Sequence, residues 1–225
     1  MPQSVHYAEQ WVPPAHMLVR RCREGVLATQ SQQWAGFPYA SYLPCVCDET
    51  GSPLFVISTL AEHTQNLQVD RQCSFVVFDS SDPANAAERV TLIGTAEPIT
   101  PSPLLAARIK RYQPQAVQFL ALGDFAVWRL EVSALRYIAG FGRMGWSDAR
   151  QWADTAQLSL EQEAQWLDQI NAPSDIRLIG IDFDGVDVLR NGKLIRYGFD
   201  TQPLGTDALR AAVTRALSAL SPGQA

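Results

Sequence analysis

Between residues 26 and 138 the chain returns repeatedly to short runs of β-branched and aromatic residues, at 26–30, 37–47, 54–58, 73–79, 89–99 and 125–138. Such residues favour pleated backbone, and turn-forming stretches such as Trp34-Ala35-Gly36 and Asp48-Glu49-Thr50-Gly51-Ser52-Pro53 separate them. Two segments interrupt the pattern: 59–68 reads as a short helix and 103–122 as one or two. Six strands with few helices fit a barrel better than a doubly wound parallel sheet. Phe75-Val76-Val77-Phe78 is apolar on both faces, as expected of a strand held between the barrel interior and a subunit partner or covering helix. Ahead of the strands, 14–24 reads as an amphipathic helix with Leu18, Val19 and Cys22 on one face and Gly25 as its stop.

From about Trp152 the texture changes. A helix at 158–170 precedes three strands at 177–183, 186–189 and 193–199, with Asp184-Gly185 and Asn191-Gly192 as hairpin turns. A closing helix runs from Thr206, its expected cap, to about Leu220. Its apolar stripe is Leu209, Ala212, Val213, Ala216, Leu217 and Leu220. The expected fold class is therefore α+β: a six-stranded antiparallel split β-barrel with flanking helices over 1–150, plus a small C-terminal αβββα domain over 151–225.

With 225 residues, 47% of them hydrophobic, the chain has the means to bury a core without staples. Cys22, Cys45, Cys47 and Cys73 lack C-x-x-C spacing and read as free thiols of a reducing compartment. A net charge of −5 with no basic run argues against a nucleic-acid partner. No leader-like N-terminus and no bilayer-length apolar stretch is apparent, so the expectation is a cytoplasmic protein without membrane contact. The three histidines, His6, His16 and His63, are too few for an all-histidine metal centre unless every one is used, and no metal site is expected.

Three stretches carry chemistry-bearing residues. Ser58-Thr59-Leu60-Ala61-Glu62-His63-Thr64-Gln65-Asn66 follows a strand and opens a helix, where unpaired N–H groups and hydroxyl or amide donors suit a phosphate or carboxylate. The competing reading is that Ser58 or Thr59 caps the helix while His63 faces solvent. Arg89, at the start of a strand, has the fork geometry to hold a phosphate, or it pairs at the surface with Glu88 or Asp82. In Arg136-Tyr137-Ile138-Ala139-Gly140-Phe141-Gly142-Arg143-Met144-Gly145-Trp146 the glycines permit close backbone approach, the aromatics suit a planar ring and the arginines suit acid groups. A tight loop packed by its own aromatics fits the same stretch equally well. No nucleophile elbow, Walker loop or dinucleotide fingerprint occurs.

Taken in order, GVLATQ (25–30), GFPYASYLP (36–44), GSPLFVISTLAEHTQNLQVDRQCSFVVFD (51–79), ERVTLIGTAEPI (88–99), LGDFAVWRLEV (122–132) and RYIAGFGRMGW (136–146) resemble the pyridoxamine-5′-phosphate-oxidase-like split barrels, specifically their heme-utilisation (HugZ-type) branch. The resemblance implies a homodimer formed through the barrel, with flavin mononucleotide (FMN) or heme bound at the subunit interface. Carried onto matching positions, the cofactor-binding residues are Tyr39, Ser41, Ser58, His63, Thr64, Asn66 and Arg89, with Arg143 beside a heme. The same resemblance extends to the small C-terminal domain. Where such relatives carry a His-Met-Asn-x-x-His-like signature, Asp168-Gln169-Ile170-Asn171-Ala172-Pro173-Ser174-Asp175 keeps the asparagine and neither histidine. The stretch SALSPGQA lacks the axial histidine that heme-degrading relatives supply near the C-terminus. A flavin-dependent oxidoreductase, a heme-degrading oxygenase and a non-enzymatic heme or flavin storage protein are all compatible with these features.

Overall fold

The computed structural model describes residues 6–79, 88–140 and 142–220. They form two compact units. One comprises the chain up to Pro101 together with Gln113–Thr155, and the other Ser102–Tyr112 together with the chain from Ala156 onward.

In the first unit, helix α1 (Val12–Cys22) leads into strands β1 (Glu24–Gln30), β2 (Pro38–Pro44), β3 (Val46–Cys47) and β4 (Pro53–Ser58). Helix α2 (Glu62–Val69) and strands β5 (Gln72–Phe78) and β6 (Arg89–Ile99) follow. After the excursion into the second unit come α4 (Ala116–Ala121), β7 (Phe125–Ile138), β8 (Met144–Asp148) and α5 (Ala149–Ala153); the intervening helix α3 spans Pro103–Tyr112. Pro13 and Pro14 sit in the first turn of α1, where missing N–H groups cost nothing. Arg23, with φ of 50°, makes the left-handed stop expected of Gly25. Gly25 instead enters β1, where a Cβ would lie 2.4 Å from Val76 O.

The strands form one antiparallel sheet in the order β2-β1-β5-β6-β7-β4-β3, with β8 also paired to β7. Its two edge strands, β2 and β3, are separated in the chain by Cys45 alone, whose N–H donates to Arg23 O at 2.8 Å. A sheet whose edges lie one residue apart is rolled, which gives the antiparallel split barrel expected from the sequence. Cys45 breaks the expected 37–47 strand in two, and the glycine-rich stretch after β7 closes a hairpin whose return arm is β8. Inside the roll, Phe55 meets Phe75 edge to face at 5.0 Å between ring centres, among Leu27, Leu67, Leu92, Leu130 and Leu135. Ala15, Leu18 and Val19 of α1 belong to the same core.

In the second unit, α6 (Leu160–Gln169) and α7 (Thr206–Ala219) accompany a meander of β9 (Ile176–Asp182), β10 (Gly185–Arg190) and β11 (Lys193–Gly198). Asn191 and Gly192 take positive φ values of 51° and 75° in the β10–β11 turn, as expected of Asn-Gly. The preceding turn is Phe183-Asp184 rather than Asp184-Gly185, because the Asp182 carboxylate accepts from the N–H groups of both Asp184 and Gly185. Gly205, not Thr206, is the cap residue of α7. Helix α3 belongs here: Glu163 of α6 takes Arg108 and Arg111 (2.6 Å for the latter), and Tyr112 donates to Asp187 at 2.7 Å. Asp187 also shares the buried Arg196 with Asp182, at 2.8 and 2.6 Å. Among the described residues no helix is long and apolar enough to cross a membrane.

Candidate functional site

At the end of β4 the Ser58 hydroxyl donates to Asp124 at 2.8 Å and accepts from the Leu60 N–H at 3.1 Å, while the Ala61 N–H bonds back to Ser58 O. These bonds shape a turn, and Ser58 does not cap the helix. The cap position of α2 falls to Ala61, which offers no side-chain acceptor, and Glu62 places a carboxylate in the first turn. A negative charge there satisfies the positive end of the helix dipole and opposes an anion at the same spot.

One turn further on, His63 Nδ1 lies 3.1 Å from Ser41 Oγ of β2. The ring is half-buried, and its Nε2 is closed off from solvent without a hydrogen-bond partner. Burial lowers the pKa of His63 from the usual 6.5, so the imidazole is neutral at pH 7, with one nitrogen a donor and the other an acceptor. Thr64 points inward with its hydroxyl buried and unpaired. Asn66 is fully buried and spent on the barrel itself: its Oδ1 accepts from Gln32 N–H at 2.9 Å and its Nδ2 donates to Thr29 Oγ1 at 3.0 Å. Tyr39, in register with Thr29, shares a face of β2 with Ser41, in register with Leu27.

Arg89 and Arg143 lie elsewhere. Ser58 pairs with Phe125 at the start of β7, whereas Arg89 pairs with Ile138 at its end. Those ends are separated by a 14-residue strand, about 40 Å of pleated chain. Arg143 is exposed at the close of the β7–β8 turn, where its N–H bonds Gly140 O at 3.2 Å and its carbonyl accepts from Ala139 N–H at 2.8 Å. Opposite in register, Arg136 covers the Trp146 ring at 5.5 Å, so the hairpin packs on its own aromatic there. Glu88 accepts from Tyr137 and pairs with Arg21 at 2.8 Å. Asp82, the other surface partner considered for Arg89, and Phe141 lie outside the described residues.

One feature escaped the sequence reading, which took Trp34-Ala35-Gly36 only as turn chemistry. At the β1–β2 tip, Trp34 and Phe37 are 64% and 65% exposed and line a hollow of about 180 Å³ with Ser31, Pro38 and Tyr39. The available signal was an aromatic pair at a hairpin tip, where small polar residues are the norm.

The family described as CREG, beta-barrel matches residues 7–154. This chain belongs to that family. The match spans the strands and helices of the first unit, and the resemblance to split barrels of the heme-utilisation branch holds. A relative of this CREG barrel, the non-canonical heme oxygenase HOZ, chloroplastic, of Arabidopsis thaliana, is 33% identical over 118 residues, 52% of this chain and 36% of that protein. The chain thus spans about a third of the length of that curated relative. Among solved structures, the heme binding protein from Mycobacterium smegmatis is similar at 26% identity and a TM-score of 0.58, over 96% of this chain and 98% of that one. Atu2129 of Agrobacterium tumefaciens, a protein of unknown function, shares the fold at 22% identity and a TM-score of 0.72, over 96% and 99% of the two chains.

Proposed function

We propose that two copies of this CREG barrel bind one another through the outer face of the sheet and hold heme in the clefts that result. The observation that carries this is the division of the candidate donors between opposite ends of β7 with an apolar face between them. Across the sheet, Tyr42, Val26 and Val76 fall in one outward row, and Ala40, Ala28, Ser74 and Ile93 in the next. Tyr42 is 63% exposed, and Phe78 and Ile93 are exposed as well. An apolar face of this kind marks an association surface. With the two-fold axis set across the strands, one end of each sheet lies beside the opposite end of its partner, and Arg89 and Arg143 of one copy then come to the Ser41–His63 block of the other.

Heme fits these residues in its acid groups and its flat apolar face. Arg143, Arg89, Ser41 and His63 supply donors to carboxylates, and Tyr39, Trp34 and Phe37 supply aromatic surface. Of the three histidines, His63 is the one in this block, since His16 is buried 3.8 Å from the Trp152 ring and His6 is exposed on the N-terminal segment. Bound heme brings iron chemistry, and the protein's part is to seat and orient it. Heme is preferred to FMN because Glu62 sits where an FMN phosphate would need the helix end, and because two of the similar proteins are described by heme. The catalytic alternative and the storage alternative share this site and differ in the fate of the heme once bound.

Titration of the purified full chain with hemin tests the proposal. A saturating, sharpened Soret band is expected, weakened in Arg143→Ala and His63→Ala. A featureless hemin spectrum, or purification of a yellow protein that retains FMN and ignores hemin, overturns it. Adding reductant and oxygen to the loaded protein then separates the alternatives: loss of the Soret band with formation of an open-chain pigment supports a heme-degrading enzyme, and a stable band supports storage.

A further inference from the structure

We propose that the β1–β2 hairpin tip is a ring-face subsite, in which Trp34, Phe37 and Tyr39 take the apolar edge of an acidic conjugated ring whose acid groups reach Ser41 and His63. This rests on the binding proposal above and names the part of the site that selects a flat, conjugated ligand.

The tip is held in place. Ser31 N–H donates to Phe37 O, and Phe37 N–H donates to Trp34 O, both at 3.0 Å. The Ser31 hydroxyl accepts from Trp34 N–H at 3.0 Å, and Gln30 Nε2 donates to Phe37 O at 3.1 Å. Gln32 N–H is bonded to Asn66 of α2, which ties the tip to the helix that carries His63. The exposure of Trp34 and Phe37 is thus a fixed presentation of two rings, at a place where none of the described residues covers them.

The hollow they line is apolar, walled by Trp34, Phe37, Pro38 and Tyr39, and the Ser31 hydroxyl at its edge is already engaged by Trp34 N–H. Its volume of about 180 Å³ is close to the roughly 150 Å³ of a cavity that accepts a benzene-sized ring, so it takes one ring of a larger conjugated system and not the whole. Tyr39 lines the hollow, and Ser41 stands two residues along on the same face, about 7 Å away. Apolar hollow and polar anchors are therefore one ring's width apart on a single strand. A ligand that satisfies both is planar, with an apolar edge and an acid-bearing edge, a chemistry that heme and flavin share.

The test compares the full chain with Trp34→Ala, Phe37→Ala and Trp34→Phe in hemin and FMN titrations, alongside thermal unfolding and light scattering. For whichever ligand the wild type binds, each alanine variant is expected to weaken binding about ten-fold. Trp34→Phe is expected to recover most of the loss, with melting temperature and mass unchanged. Wild-type affinity in both alanine variants overturns the subsite while leaving the binding proposal intact. Loss of dimer mass in those variants also overturns it, since the hollow would then seat a side chain of the second copy. If the wild type takes up neither hemin nor FMN, the subsite and the binding proposal fall together.

Discussion

Replacing Asn66 with alanine separates two roles that its position in the chain leaves confounded. Its amide bonds Thr29 Oγ1 at 3.0 Å and Gln32 N–H at 2.9 Å, and the side chain is wholly buried. Truncation leaves the buried Thr29 hydroxyl unpaired at about 1–3 kcal/mol, while water reaches the exposed Gln32 backbone at smaller cost. With the small void added, the loss is about 2–3 kcal/mol, or a fall in melting temperature of about 4–10 °C. Near-UV circular dichroism follows the barrel transition. Thr29→Val completes a double-mutant cycle: the double variant removes both partners and is expected to lose less than the two single losses added together, by about 1 kcal/mol. Full stability in Asn66→Ala combined with lost hemin affinity would refute the strut and make Asn66 a ligand contact. Simple additivity with Thr29→Val would refute the hydrogen bond as the coupling.

Three more perturbations have outcomes set by the same structure. Burial keeps His63 neutral, and an acidic ligand favours its protonated form, so hemin binding takes up a proton and affinity strengthens as pH falls toward the lowered pKa of that ring; His63→Gln flattens that profile in parallel Soret titrations. Because its folded pKa lies below 6.5, the unfolded chain binds more protons there, and the ligand-free fold loses stability as pH falls through that value, a loss the glutamine variant escapes in acid unfolding curves. Glu163→Gln removes the carboxylate charge that faces the buried Arg108 and is expected to cost the second unit about 3–5 kcal/mol, read by urea unfolding. Tyr42→Asp places a charge on the outward row of β2 and is expected to bring the mass seen by light scattering from about 50 kDa to the 24.8 kDa of one chain.

Local chemistry carried much of this fold into the sequence. The strand runs, apart from 37–47, which Cys45 splits, the Asn191-Gly192 turn and the stripe of Leu209, Val213 and Leu217 follow from residue preference and periodicity, and these appear where expected. Features decided by distant partners were not legible. Arg23 rather than Gly25 ends α1 because β1 needs Gly25 where Val76 O comes close. The fate of α3 hangs on Glu163 and Asp187, far along the chain. The 58–66 stretch is chemically dense, yet pattern alone does not say which of its side chains turn inward. Asn66 and Thr64 do, and the half-buried His63 meets Ser41. Arg89 and Arg143 stand at the far end of β7, a separation that appears once strand register is known.

Helix α3 is made before β7 but finds its ionic partners in residues from 163 onward, so the chain leaves the barrel, contributes a helix to another body, and returns. On the ribosome that helix waits for the carboxylate that takes its two arginines until Glu163, on the far side of β7, has emerged. A stop codon placed just after Thr155 would therefore not release a tidy barrel. It would leave a loop bearing an orphaned cationic helix, and a fragment supplied in trans, beginning at Ala156, would lack a piece of its own core.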